Sequence, residues 1–139
     1  MDVILNIGLN VASGNNAYDA RSERGEVALR YLSGFFPKII NKRLLTTYDD
    51  ANSTPTIEDT LVVHLLDGLN AEGSVYSAIF NLAQLLDQDC IAVFFTSVQE
   101  GLLIGPRANE WGAFDPQYFR VIEELSEKPA RNAGVSQAA

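Results

Sequence analysis

Between residues 82 and 104 the hydrophobic pattern changes period, and this stretch limits the possible folds more than any other. Leu82, Leu85 and Leu86 close a helical pattern, and Asp87, Gln88 and Asp89 form a polar break. Cys90 then leads into the continuous apolar run Ile91-Ala92-Val93-Phe94-Phe95. A helix that gives way through a wet turn to a strand apolar on both faces is the mark of an α-to-β crossover within a covered sheet. A hairpin through Gln99-Glu100-Gly101 brings the chain back as Leu102-Leu103-Ile104.

The other segments fit this frame. Residues 3–11 alternate as a strand, with Val3, Leu5, Ile7, Leu9 and Val11 on one face. A Ser13-Gly14-Asn15-Asn16 turn follows, then a helix over about 22–36 with Ser22 as N-cap and Gly34 and Pro37 at its end. Residues 39–48 read as a strand, 49–56 as a polar mobile loop or hairpin tip, and 60–66 as a buried strand. Residues 71–86 form an amphipathic helix carrying Val75, Ile79, Leu82, Leu85 and Leu86. The order is β-α-β-β-α-β plus an extra strand. That predicts an α+β, ferredoxin-like sandwich whose helices cover one face of an antiparallel sheet. Self-association is the cheapest cover for the other face, and a trimer with its sheets turned inward is the expected form. One domain over 1–126 is expected, with a short helix at 117–126 and a disordered polar tail at 127–139.

Composition removes several functions. The net charge of −8 argues against a nucleic-acid partner, which would call for a basic face. The one cysteine, Cys90, allows no intrachain disulfide and suits a reducing compartment. No segment nears the roughly 20 apolar residues of a membrane span. Asp2 stands where a signal peptide would carry positive charge, so a cytoplasmic location is expected. There is no phosphate-binding or dinucleotide glycine motif and no Cys/His metal spacing, so no cofactor and no metal are expected. The single histidine, His64, sits between Val63 and Leu65 in a strand pattern and reads as structural. Trp111, Phe114, Tyr118 and Phe119 form an aromatic cluster that either pins a terminal helix or caps a base.

Three segments together resemble the phage S-adenosylmethionine (SAM) lyases, also called SAM hydrolases or SAMases. They are the Gln88-Asp89-Cys90 block with its two apolar strands, Tyr48 ten residues ahead of Glu58 and the run Thr60-Leu61-Val62-Val63, and Asn10-Val11-Ala12-Ser13 leading into Arg21-Ser22-Glu23-Arg24. The resemblance covers most of 3–105. It implies a trimer shaped like the PII signalling proteins, SAM held between adjacent subunits, and an antirestriction role in the host cytosol. The products implied are 5′-methylthioadenosine and either homoserine lactone (lyase) or homoserine (hydrolase).

The residues suit that chemistry. In the lyase route the substrate's own carboxylate attacks its γ-carbon and expels the sulfonium as a neutral thioether, so no enzyme nucleophile is needed. Holding the reacting groups together can contribute about 7–11 kcal/mol. Since the sulfonium charge disappears, an acid beside sulfur would favour the ground state. Glu58 is therefore assigned to the substrate ammonium and Tyr48 to the reacting centre. Glu100 and Gln99 in the hairpin, with Ser13 and Asn15 in the first turn, are the further substrate-binding candidates. Read without the resemblance, Glu58 is a solvated acid at a strand entrance and Tyr48 a half-buried strand aromatic. The Gln88-Asp89-Cys90 block reads mainly as the junction that sets the following strand register, with Cys90 a small core residue.

Two other classes compete. A non-catalytic PII-like nucleotide-binding trimer would need a basic loop for phosphates, whereas 49–56 holds two acids and no base. An acidic antirestriction protein that occludes a DNA-binding enzyme would need its charges aligned on one face.

Overall fold

The computed structural model describes residues 2–48, 56–69 and 72–111. The elements run β1 (Val3–Gly8), α1 (Tyr18–Leu32), β2 (Lys38–Tyr48), β3 (Thr56–Leu66), α2 (Glu72–Leu85), β4 (Ile91–Phe95) and β5 (Glu100–Ile104), then a 3-10 turn over Ala108–Glu110. They form one sheet in the order β2-β3-β1-β4-β5, with every neighbouring pair antiparallel. β3 therefore lies between the two strands joined by α1. That is the split β-α-β arrangement, with β5 added beside β4. No helix among the described residues is long and apolar enough to cross a membrane.

Strand alternation divides the core in two. Val3, Leu5 and Ile7 of β1, Leu61, Val63 and Leu65 of β3, and Ile91, Val93 and Phe95 of β4 pack with Ala28 and Leu32 of α1 and Val75, Ile79 and Leu82 of α2. The intervening Ile4, Val62 and Phe94 form a second cluster with Leu44, on the face turned from the helices. Ile4 and Val62 are fully buried within the single chain, so these side chains need no second copy to leave water. A 14-residue helix such as α2 is marginal alone. What holds it is the stripe Val75, Ile79, Leu82 and Leu86, each buried, at about 1.5–3 kcal/mol per side chain.

Several boundaries differ from the sequence expectation for local reasons. α1 begins at Tyr18, and Ser22 lies inside it instead of capping it. The cap residue, Ala17, makes no side-chain cap bond, and its N–H donates to Asn15 Oδ1 at 2.8 Å. Asn16 closes the preceding loop, with Oδ1 accepting from Val11 N and Nδ2 donating to Val11 O, both at 2.8 Å. β3 starts at Thr56, because β2 pairs with it along its whole length from Lys38↔Leu66 to Tyr48↔Thr56. Leu85, expected on the apolar stripe, is exposed, since the helix ends there in a Schellman turn. In that turn Gln88 N donates to Ala83 O, Asp87 N donates to Gln84 O, and Asp87 takes φ 57°. The β4–β5 turn spans 96–99, and Glu100 already pairs with Phe95. The expectations for residues 49–55, 112–116, the helix at 117–126, the tail at 127–139 and three of the four clustered aromatics lie outside the described residues.

Candidate functional site

At the end of the sheet where β1 finishes and β4 begins lies a cavity of about 360 Å³. That is within the roughly 300–1,000 Å³ usual for small-molecule sites. Its lining includes Asn6 and Gly8 of β1, Glu58 and Thr60 of β3, Ala92 of β4 and Leu103 of β5. Asn10, Val11 and Ala12 from the loop after β1 form another wall, and Asp87, Gln88, Asp89, Cys90 and Trp111 complete it. Asn6, Thr60 and Ala92 share the sheet face of Ile4, Val62 and Phe94, because register places Asn6 opposite both Val62 and Ala92. Among the described residues that line it there is no lysine, arginine or histidine.

Asp59 and Asp89, both in the lining, are held by side chains from distant segments. Asp59 is fully buried and accepts from Arg21 Nη1 at 2.8 Å, Arg43 Nε at 2.8 Å and Arg43 Nη2 at 2.5 Å. Arg43 Nη1 also donates to Ser22 Oγ at 2.7 Å, and the Tyr18 ring lies 4.7 Å from the Arg43 guanidinium carbon. This is how a strand tolerates an acid facing α1: two guanidinium groups replace the water it lost. Hydrogen bonding to Asp59 raises the Arg43 pKa above its ordinary value. Asp89 accepts from Trp111 Nε1 at 2.9 Å and from Arg107 Nε at 2.5 Å, and its carbonyl accepts from Arg107 N at 2.9 Å. The Trp111 and Arg107 hydrogen bonds hold the Asp89 carboxyl below the usual carboxylate range. Glu58 and Asp87 are the exposed acids of the lining.

Local packing fixes the walls. Gln88 Nε2 donates to Asn10 O at 2.5 Å, tying the helix-end block to the loop after β1. Gly8 makes room for this, since a Cβ there would meet Gln88 Oε1 at 3.0 Å. Arg24 braces the same loop, donating to Leu9 O at 2.7 Å, to Asn16 Oδ1 at 3.1 Å and to Asn15 O. At Gly105 a Cβ would lie 2.4 Å from Asp89 O and 2.5 Å from Cys90 Cα, so the chain after β5 runs directly against the block. Burial, aided by the Asp89 charge, pushes the Cys90 thiol pKa up, which leaves it a poor nucleophile.

Of the residues singled out in the sequence, Glu58 lines the cavity, as does the whole Gln88-Asp89-Cys90 block. In the sequence the block reads mainly as a register junction; in the structure it is also a cavity wall. The backbone of Tyr48 closes β2 opposite Thr56, one turn of the pleat beyond Thr46↔Glu58. Gln99 and Glu100 stand at the other end of the β4–β5 hairpin from Cys90, exposed, with Gln99 Nε2 donating to Thr96 O at 3.1 Å. Ser13 lines a separate cavity beside Glu23, Arg24 and Leu85. Asn15 uses its side-chain oxygen on Ala17 N. Sequence reading passed over Asn6, Gly8 and the Asp89–Trp111 pair. Asn6, a polar residue inside an otherwise apolar strand, was the available signal. Among the described residues no group of three or more His, Cys, Asp or Glu side chains is placed to hold a metal ion.

No protein-family model and no curated protein matches the chain. Among solved structures, it is similar to a phage SAM lyase in complex with S-methyl-5′-thioadenosine, at 19% identity and TM-score 0.43, covering 66% of this chain and 76% of that one. It is also similar to a phage SAM lyase in the apo state, at 16% identity and TM-score 0.41, covering 66% and 75%.

Proposed function

We propose that this protein degrades S-adenosylmethionine as a lyase, releasing 5′-methylthioadenosine and homoserine lactone. One observation carries the reading: Glu58 and the Gln88-Asp89-Cys90 block, two features on which the sequence resemblance rests, line the same cavity although 30 positions of chain separate Glu58 from Gln88. The described lining, with carboxylates and no basic side chain, suits a substrate bearing both an ammonium and a sulfonium. It does not suit a phosphate.

In this reading Glu58 binds the ammonium and orients the amino-acid end, so that the substrate carboxylate folds onto the γ-carbon. The C–O bond forms as the C–S bond breaks. The carboxylate and sulfonium charges vanish together, and no proton moves. Asp89 and Asp59 are held by arginines and a tryptophan, so neither adds a bare negative charge beside sulfur to stabilise the ground state. Tyr48 acts at the reacting centre. Gln99 and Glu100, at the far end of the hairpin, reach substrate from a neighbouring subunit of a PII-like homotrimer, an assembly that rests on the resemblance. The biological use is antirestriction in a phage-infected cytoplasm.

The test is incubation of the pure protein with SAM in oxygen-18 water, followed by mass spectrometry at early times. Unlabelled lactone is expected. Directly labelled homoserine would favour the hydrolase instead, and absence of methylthioadenosine would refute the enzyme. Glu58→Gln is expected to lose most turnover while keeping its fold by circular dichroism; full activity would remove Glu58 from the site.

A further inference from the structure

We propose that Trp111, fixed by Asp89, is the stacking platform for the purine base of the substrate. This deepens the SAM reading and rests on it for the identity of the base. Trp111 lines the cavity yet remains 55% exposed, a large aromatic surface left in water. Its polar end is anchored, since Nε1 donates to Asp89 Oδ2 at 2.9 Å, while Arg107 Nε occupies Oδ1 at 2.5 Å. The backbone beneath is fixed as well. Gly105 packs on Asp89 and Cys90 without room for a Cβ, Arg107 N donates to Asp89 O, and Trp111 N donates to Ala108 O at 3.0 Å.

An indole positioned in advance loses little rotamer freedom on binding, and aromatic stacking on a base accepts the base's π-face without needing its edge. Arg107 neutralises the anchoring carboxylate, so this side of the cavity favours a neutral planar group over a second cation. The cationic end belongs at Glu58. That residue is on β3, two strand spacings or roughly 10 Å from β4, beyond which Trp111 sits. A ligand with an ammonium at one end and a purine at the other matches this separation of roles. Asp89 is then a positioning residue, acting through the indole.

Trp111 is the only tryptophan in the chain, so its fluorescence reports on this position alone. Titration of the full-length protein with 5′-methylthioadenosine is expected to change Trp111 emission saturably, and L-methionine, which has no base, is expected not to. By calorimetry Trp111→Ala should weaken methylthioadenosine about ten-fold or more, with Trp111→Phe retaining most of the affinity. Asp89→Ala should fall between them, and SAM turnover in Trp111→Ala should show a raised KM at nearly unchanged kcat. Methylthioadenosine binding within two-fold of the parent in Trp111→Ala, binding without any emission change, or no binding at all would each overturn the proposal. SAM consumption by the parent protein is scored separately. Turnover with an unresponsive Trp111 removes only the platform, and base-dependent quenching without turnover removes only the lyase.

Discussion

Replacing Asp59 by asparagine should destabilise the domain by about 3 kcal/mol, near the lower end of the 3–5 kcal/mol typical of breaking a buried ion pair. The size follows from what is left behind. The Arg21 side chain is 7% exposed and would keep the bond from Nε to Asn16 O at 3.1 Å and the face of the Tyr18 ring, with no countercharge. Arg43, at 27% exposure, can turn toward water and still holds Ser22 Oγ, so it adds little. The amide oxygen of asparagine can accept one of the lost bonds, which places the cost at the low end. Against a total stability of roughly 5–15 kcal/mol this is a large fraction, and for a domain of this size it lowers Tm by about 10 °C. Urea unfolding followed by far-UV circular dichroism should show a lower midpoint at unchanged slope. The triple variant Arg21→Met, Asp59→Leu, Arg43→Met should recover most of the loss, because it leaves no orphaned charge. A D59N midpoint within about 0.5 kcal/mol of the parent, or a triple variant no better than D59N, would refute the argument.

His64 gives a pH signature. Burial pushes its pKa below the ordinary value, with Asp2 opposing, and among the described residues Nε2 has no hydrogen-bond partner. The unfolded chain therefore binds the proton more readily than the folded one, so stability is fully present above about pH 6.5 and declines as pH falls below it. His64→Phe should flatten that part of a stability–pH profile, and an unchanged slope would show that other groups cause it. Gly105→Ala should cost about 1–3 kcal/mol, since a methyl would meet backbone atoms that cannot rotate away. Wild-type stability in a melting experiment would contradict the close approach at Asp89.

Much of the architecture was legible because it depends on period alone. The run at 91–95 matches β4 residue for residue, and the alternation Val3, Leu5, Ile7 identifies the strand face that meets the helices. Glu58, which lines the cavity, is singled out in the sequence through the resemblance and not through any periodicity. The start of α1 was misplaced because Ser22 looks like a cap, whereas the true start depends on a loop closed by Asn15, Asn16 and Arg24.

The sequence by itself determined the order of helices and strands, the apolar faces and the acidic balance, all of which follow from local spacing and composition. Tertiary structure alone decided which cations lie against Asp59 and Asp89. Asp59 and Asp89 look like Glu58 in the sequence, but each lies against guanidinium groups from distant segments, Arg21 and Arg43 in one case and Arg107 in the other. It also decided that Gln88-Asp89-Cys90 is a wall as well as a junction, because Gly8 and Gly105 let separate stretches of backbone close around that block. Such pairings depend on distances between residues far apart in the chain, and no local pattern encodes them.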